Sequence, residues 1–167
     1  ELALMFTLNC KGRLLLLEKP VVMGIINLTP DSFYSGSRQQ ATDAVLAEAG
    51  KMLQEGAMIL DLGAQSTRPG SERVSEEEEL KRLLPALEAL SQQFPEAYIS
   101  VDTFYASVAK AAVEAGACMV NDISAGNMDP AMISTVASLS VPYVLMHMRG
   151  SPQTMQQNTD YTDVTRE

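Results

Sequence analysis

The stretch from Tyr98 to Asp122, YISVDTFYASVAKAAVEAGACMVND, holds one complete structural unit. An apolar run, Tyr98–Val101, ends at Asp102. A helix candidate, Ala106–Ala115, follows and is stopped by Gly116, a residue suited to a left-handed helix cap. A second apolar run, Cys118–Val120, then ends at Asn121 and Asp122. The same rhythm extends outward in both directions. Upstream lie Val21–Ile26, ending at Asn27, and Met58–Leu60, ending at Asp61. Downstream lies Val141–Met146, ending at His147. Ala41–Glu55, Ser75–Gln93 and Pro130–Ser138 are the remaining helix candidates. Ser75 followed by Glu78 fits a capping box, the acidic first turn suits the helix dipole, and Gly56 falls just past a helix end. Before the first unit, Met5–Leu8 and Leu14–Leu17 flank the turn-prone Asn9-Cys10-Lys11-Gly12, which reads as a hairpin within Leu4–Glu18.

Continuous apolar runs are the mark of buried parallel strands, and their alternation with helices predicts a parallel α/β architecture. An open doubly wound sheet and a piece of a barrel both fit that pattern. Neither a Walker A loop nor a Gly-x-Gly-x-x-Gly turn follows the first run, which weakens the nucleotide-binding open sheets. Every run ends in Asn, Asp or His, as expected where several barrel strands bring polar residues to one mouth. A (β/α)8 TIM barrel takes about 250 residues, so five of its eight units take about 156. The 167 residues therefore predict one domain, 1–167, holding the hairpin and about the first five strand-helix units. The barrel is expected to be incomplete at its C-terminal side. The polar stretch 151–167 reads as the loop entering the next helix.

Composition narrows the function. The chain carries 12 Lys+Arg against 21 Asp+Glu, a formal charge of −9. That balance opposes binding to nucleic acid or to an anionic membrane surface. No apolar run approaches the roughly 20 residues that span a bilayer, and the N-terminus lacks a signal-peptide pattern. With one His and two Cys, neither a four-ligand Cys/His zinc cluster nor a Ser-His-Asp set independent of His147 is available. Cys10 and Cys118 read as reduced thiols of a cytoplasmic protein.

Several polar groups follow the runs. Asn27-Leu28-Thr29-Pro30-Asp31-Ser32-Phe33 offers oxygen ligands to a hard cation such as magnesium, or else forms a turn and helix cap. Gly63-Ala64-Gln65-Ser66-Thr67-Arg68-Pro69-Gly70 combines small residues, hydroxyls and an Arg that can pair bidentately with an anion. The same loop also reads as an ordinary flexible surface loop. Asp102 is either a helix cap or an acceptor for adjacent ring N–H and NH2 donors. Asn121 can read one ring edge while Ile123 packs on a flat face; the alternative is a plain strand-to-helix turn. Met146 can lie against an aromatic ligand. His147 is either a general base or a hydrogen-bonded strand-end residue. Together these residues suit a polar heterocycle bearing phosphate or pyrophosphate.

In that order and at those intervals they resemble the dihydropteroate synthase family. Gly24–Phe33 is similar to the family's first signature and Asp61–Gly70 to its second. Ile99–Thr103, Asn121–Ser124 and Leu145–Met148 are similar to the later motifs. The resemblance implies a (β/α)8 enzyme of folate synthesis that joins para-aminobenzoate to hydroxymethyl-dihydropterin pyrophosphate. It implies Asn27 as a magnesium ligand, Asp102, Thr67 and Arg68 as catalytic residues, and Asp102 and Asn121 on the pterin edge. Ile123 and Met146 would line the pterin pocket, Thr67 would also contact substrate, and Phe33 and Pro69 would close over para-aminobenzoate. A homodimeric partner is implied as well.

Two rival readings stand beside it. A methyl-folate-handling methyltransferase domain shares the barrel and the pterin-edge Asp and Asn, but has no need of the two specific loops. A catalytically inactive, poorly soluble or dimeric fragment is the expectation for five strands with both edges unpaired.

Overall fold

The computed structural model describes residues 5–28, 38–65, 73–152 and 154–166. An antiparallel hairpin, β1 (Phe6–Cys10) and β2 (Arg13–Leu17), comes first. Lys11 and Gly12 both take positive φ, 53° and 86°, the backbone of a tight hairpin turn, and Gly12 N donates to Asn9 Oδ1 at 2.8 Å. Five parallel strands follow: β3 (Val22–Asn27), β4 (Ala57–Gly63), β5 (Tyr98–Asp102), β6 (Met119–Asp122) and β7 (Tyr143–Leu145). Between them run α1 (Arg38–Gln54), α2 (Glu76–Gln93), α3 (Ala106–Glu114) and α4 (Met132–Leu139).

The order β3-β4-β5-β6-β7 follows the chain without reversal, and each helix packs on the next. A doubly wound sheet reverses its strand order at a switch point, so this is the barrel arrangement. β3 and β7 form the edges of this partial α/β barrel.

Side chains alternate between two faces along each strand. Ile26, Leu60, Leu62, Ile99, Val101 and Val120 face outward and make the main core with buried residues of the helices, including Val45, Leu83, Leu87 and Val113. Gly24 lets α1 approach closely, since a Cβ there would stand 2.7 Å from Met52 Sδ. The other face is closed at its lower end by the hairpin. Cys10 and Leu15 pack with Ile59, Cys118 and Met119 in a second core, joined by Met23 and Tyr98. These contacts sit at the beginnings of the strands, opposite the ends that carry the polar residues. Arg13 fixes the hairpin there, donating to Pro95 O at 3.0 Å and Ala97 O at 2.8 Å and lying over the Tyr98 ring. Lys11 Nζ donates to Val113 O at 2.7 Å in the last turn of α3, where a cation suits the helix dipole.

Boundaries differ from the sequence reading in informative ways. Ser75 caps α2 by accepting from Glu78 N, but the Glu78 carboxylate pairs with Arg82 at 2.9 Å instead of completing a reciprocal box. α1 begins earlier than Ala41, and β7 is shorter than the run Val141–Met146. The largest correction concerns β4. It continues through Asp61 to Gly63, so Asp61 lies inside the strand and not at its end. Gly56 and Gly116 take φ of 103° and 126° beyond their helices, as the sequence suggests.

Cys10 and Cys118, far apart in sequence, are buried free thiols brought side by side. Burial, and then the neighbouring Cys118, push the Cys10 thiol up to about 12. A protonated, buried thiol is a poor nucleophile. Cys10 is therefore expected to resist an aromatic disulfide reagent in the folded protein at pH 8 and to react promptly in denaturant. Fast reaction of the native protein at Cys10, located by peptide mapping, contradicts this packing.

Candidate active site

Parallel pairing lines up the strand ends. Asn27 is in register with Gly63, Gly63 with Asp102, Asp102 with Asn121, and Asn121 with Val144. These positions form a single row across the mouth, on the face turned away from the helices. Gly63 makes room inside it: an added Cβ would stand 3.3 Å from both Cβ and Oδ2 of Asp102. Directly beneath lies a second row, Ile25, Asp61, Ser100 and Met119.

Asp102 is held in an unusual state. Burial first, and then the charges of Asp61, Glu79 and Asp122, raise its carboxyl from the ordinary carboxylate range to about 7. The helix-capping role open to it in sequence is taken by others. Ala106 N, at the start of α3, donates to Asp129 Oδ2 at 2.8 Å, and Tyr105 N donates to Thr103 Oγ1 at 3.2 Å. A carboxylate crowded by like charges at a concave mouth is suited to a ligand with paired N–H donors or developing positive charge.

Asn121 donates from Nδ2 to Asp61 Oδ2 at 2.9 Å. Asp122, one residue on, has a different task. Its Oδ1 accepts from Ser124 N and Oγ at 2.7 and 2.8 Å; its Oδ2 accepts from Gly126 N at 2.8 Å and Tyr143 Oη at 2.6 Å. It thereby shapes the turn carrying Ile123 and ties it to β7. Burial and the Asp122 contact raise the Tyr143 phenol. Met146 N donates to Asp122 O at 3.2 Å, which brings Met146, 37% exposed, beside the same turn. Asn27 is exposed at the end of β3. The structure therefore gathers Asn27, Asp102, Asn121, Ile123 and Met146 around the strand ends.

Phe33, Thr67, Arg68 and Pro69 lie outside the described residues, as do the two loop segments carrying them. The base of the second loop is described at Gln65 and Val74. Gln65 Nε2 donates to Val74 O at 2.9 Å, and Val74 N donates to Gln65 Oε1 at 3.0 Å. Gln65 also donates to Glu79, a carboxyl raised chiefly by burial, with contacts from Thr103 and Gln65 opposing the rise. His147 is hydrogen-bonded, with Nε2 3.1 Å from Tyr161 Oη. In the sequence reading Asp61, Gly63 and Gln65 are named within the second signature, but none of them is given a role of its own. The alternation rule, applied backward from Gly63, would have placed Asp61 on the ligand-side face.

Such a mouth, with carboxylates and an amide at the ends of parallel strands, is the kind of site a barrel protein can offer to a polar heterocycle. Residues 23–167 match the family model for pterin binding enzyme, and the chain belongs to that family. The folate synthesis bifunctional protein of pea mitochondria is 51% identical over 155 residues, covering 90% of this chain and 30% of that protein. The dihydropteroate synthase of Synechocystis is 47% identical over 150 residues, covering 90% of this chain and 52% of its own. The Xanthomonas albilineans dihydropteroate synthase, solved with 4-aminobenzoic acid, superposes with a TM-score of 0.82 at 45% identity over 96% of this chain and 56% of its own. The chain thus spans about a third to about half the length of these relatives.

Asp102 binds protons more tightly folded than unfolded. Between its ordinary value of 3.8 and about 7, stability therefore falls as pH rises. Asp102→Asn is expected to stabilise the protein at pH 8 by about 2 kcal/mol, allowing for partial solvent screening, with the gain vanishing near pH 4. Thermal melts of both proteins across that range check the sign.

Proposed function

We propose that the protein works as a dihydropteroate synthase, condensing para-aminobenzoate with hydroxymethyl-dihydropterin pyrophosphate. The carrying observation is the in-register row in which Asp102, crowded by other carboxylates, stands beside Asn121 at the barrel mouth. Asp102 would accept from the donor edge of the pterin, Asn121 would fix its orientation, and Ile123 and Met146 would pack against the ring. The bond from the pterin methylene carbon to the pyrophosphate oxygen breaks, and the electron pair leaves with pyrophosphate. The amine lone pair of para-aminobenzoate then forms the C–N bond, and the nitrogen releases its proton. Ionised Asp102 favours the positive charge that develops on the pterin between those events.

A single exposed amide oxygen at Asn27 fits magnesium, which commonly takes one or two protein oxygens beside water and substrate phosphates. Among the described residues no group of three or more His, Cys, Asp or Glu could hold a metal, so the pyrophosphate would supply further ligands. Bound there, magnesium would supply charge neutralisation for the leaving group. We assign Thr67 and Arg68 to that same end of the substrate and Phe33 and Pro69 to the para-aminobenzoate side, on motif similarity alone.

The protein is proposed to act in a reducing compartment, in keeping with its two buried free thiols; the pea relative carries a mitochondrial name. No helix among the described residues is long and apolar enough to cross a membrane. The 167 residues by themselves are expected to bind the pterin substrate without turning it over, because the mouth row stops at the sheet edges β3 and β7.

Titration with the pterin pyrophosphate, followed by pterin fluorescence, tests the reading. Magnesium should tighten binding, Asn27→Ala should remove that increment, and Asp102→Ala should weaken binding by about tenfold or more. Binding indifferent to magnesium and to Asp102→Ala overturns it.

A further inference from the structure

Asp61 is 2% exposed in the middle of β4, between two leucines that face the helices. Its own side chain belongs to the ligand-side face, in register with Ile25 on one side and Ser100 on the other. A buried carboxylate is a poor choice for building a strand, and this one is only half satisfied. Oδ2 accepts from Asn121 Nδ2 at 2.9 Å, whereas Oδ1 is buried without a hydrogen-bond partner, as is the neighbouring Ser100 Oγ.

The Asp61 oxygen accepts from the nitrogen end of the Asn121 amide. The oxygen and the second N–H of Asn121 are left for a ligand. We propose that Asp61 is a positioning residue of the pterin site, fixing the amide of Asn121 so that its oxygen is presented to a ligand donor. The assignment rests on the pterin-binding reading of the mouth. Asp61 has a second effect through space. Its charge acts on Asp102, together with Glu79 from α2 and Asp122 from β6. One buried carboxylate thus orients one ligand-edge residue and sets how readily the other ionises.

Two measurements on the protein separate this inference from the reading beneath it. The first needs no ligand. Side-chain amide NMR of the wild type should show an Asn121 Nδ2 proton shifted downfield and protected from exchange, and Asp61→Ala should abolish both. Carboxyl-carbon titration should place the Asp102 midpoint lower in Asp61→Asn than in wild type, by about one pH unit. The second measurement is affinity for the pterin pyrophosphate against pH. Asp61→Ala should lose about tenfold or more, and Asp61→Asn, which keeps an acceptor, should lose less. Asp61→Asn should also shift the pH midpoint of binding toward acid. The ligand's own titration cancels in that comparison. A merely structural Asp61 would lower the melting temperature in both variants and weaken binding equally, with the Asn121 amide signal the same in wild type and Asp61→Ala. That outcome, or an Asn121 amide unchanged by Asp61→Ala, overturns the inference. If Asp61→Ala fails to fold, the near-isosteric Asp61→Asn still decides: loss of the carboxylate acceptor should reduce the downfield shift and protection of the Asn121 Nδ2 proton, and an unchanged proton overturns the inference. Failure of the wild type to bind pterin at any pH overturns the functional reading instead, while the amide measurement still decides whether Asp61 positions Asn121.

Discussion

The register of parallel pairing from β3 to β6 is the constraint on which the site depends. Asn27 and Asn121 lie far apart in the chain, yet pairing through Gly63 and Asp102 sets them in one row. Strand side chains alternate, so a slip of one residue exchanges the two faces. Leu62, Val101 or Val120 would then face the mouth, and a carboxylate or amide would enter the helix layer. The leucines, valines and isoleucines of the outer core therefore hold the geometry of the mouth by making that slip prohibitively costly.

Charge works against the same packing. Four carboxyl groups, Asp61, Glu79, Asp102 and Asp122, lie close enough for three of them to raise the fourth. Asp122 is fully engaged by a turn, a hydroxyl and a phenol, and acts as a structural clasp. Glu79 accepts from the amide that also joins Gln65 to Val74. Asp102 stands in the row with carboxylates as its charged neighbours, and Asp61 keeps one oxygen unmatched. The remaining acceptor capacity is concentrated where a donor-rich, cationic transition state would use it, a preorganisation that disfavours the unliganded fold.

Much of this was legible in the sequence, for identifiable reasons. Buried parallel strands leave continuous apolar runs, so all five strands and the helix between each pair could be placed. The hairpin turn at Lys11-Gly12 and the Ser75 cap follow from local backbone chemistry. Asp61 was set at a strand end because an apolar run stops there, yet the ligand-side face of a barrel tolerates polar residues in mid-strand. Its partnership with Asn121, like the meeting of Cys10 with Cys118, depends on which strands neighbour which, and local pattern carries no such information. Asp102 and Asp122 look alike in sequence, each a carboxylate where an apolar run gives out, Asp102 directly and Asp122 after Asn121. Only the hydrogen bonds around them show that one is a clasp and the other is open.

That difference traces to how the adjoining helix is capped. An Asp a few residues ahead of a helix can accept from nearby backbone N–H groups and be spent there. Here Asp129, from the turn after β6, supplies the acceptor for Ala106 N, and its other oxygen accepts from Ala131 N ahead of α4. Thr103 takes Tyr105 N. The local duties of Asp102 are thus discharged by its chain neighbour and by a residue of the next unit. Such relief is available only when consecutive units pack side by side, as they do in a barrel. The architecture therefore does more than gather polar residues at one mouth. By letting one unit cap the helix of another, it leaves a strand-end carboxylate unspent and available for chemistry.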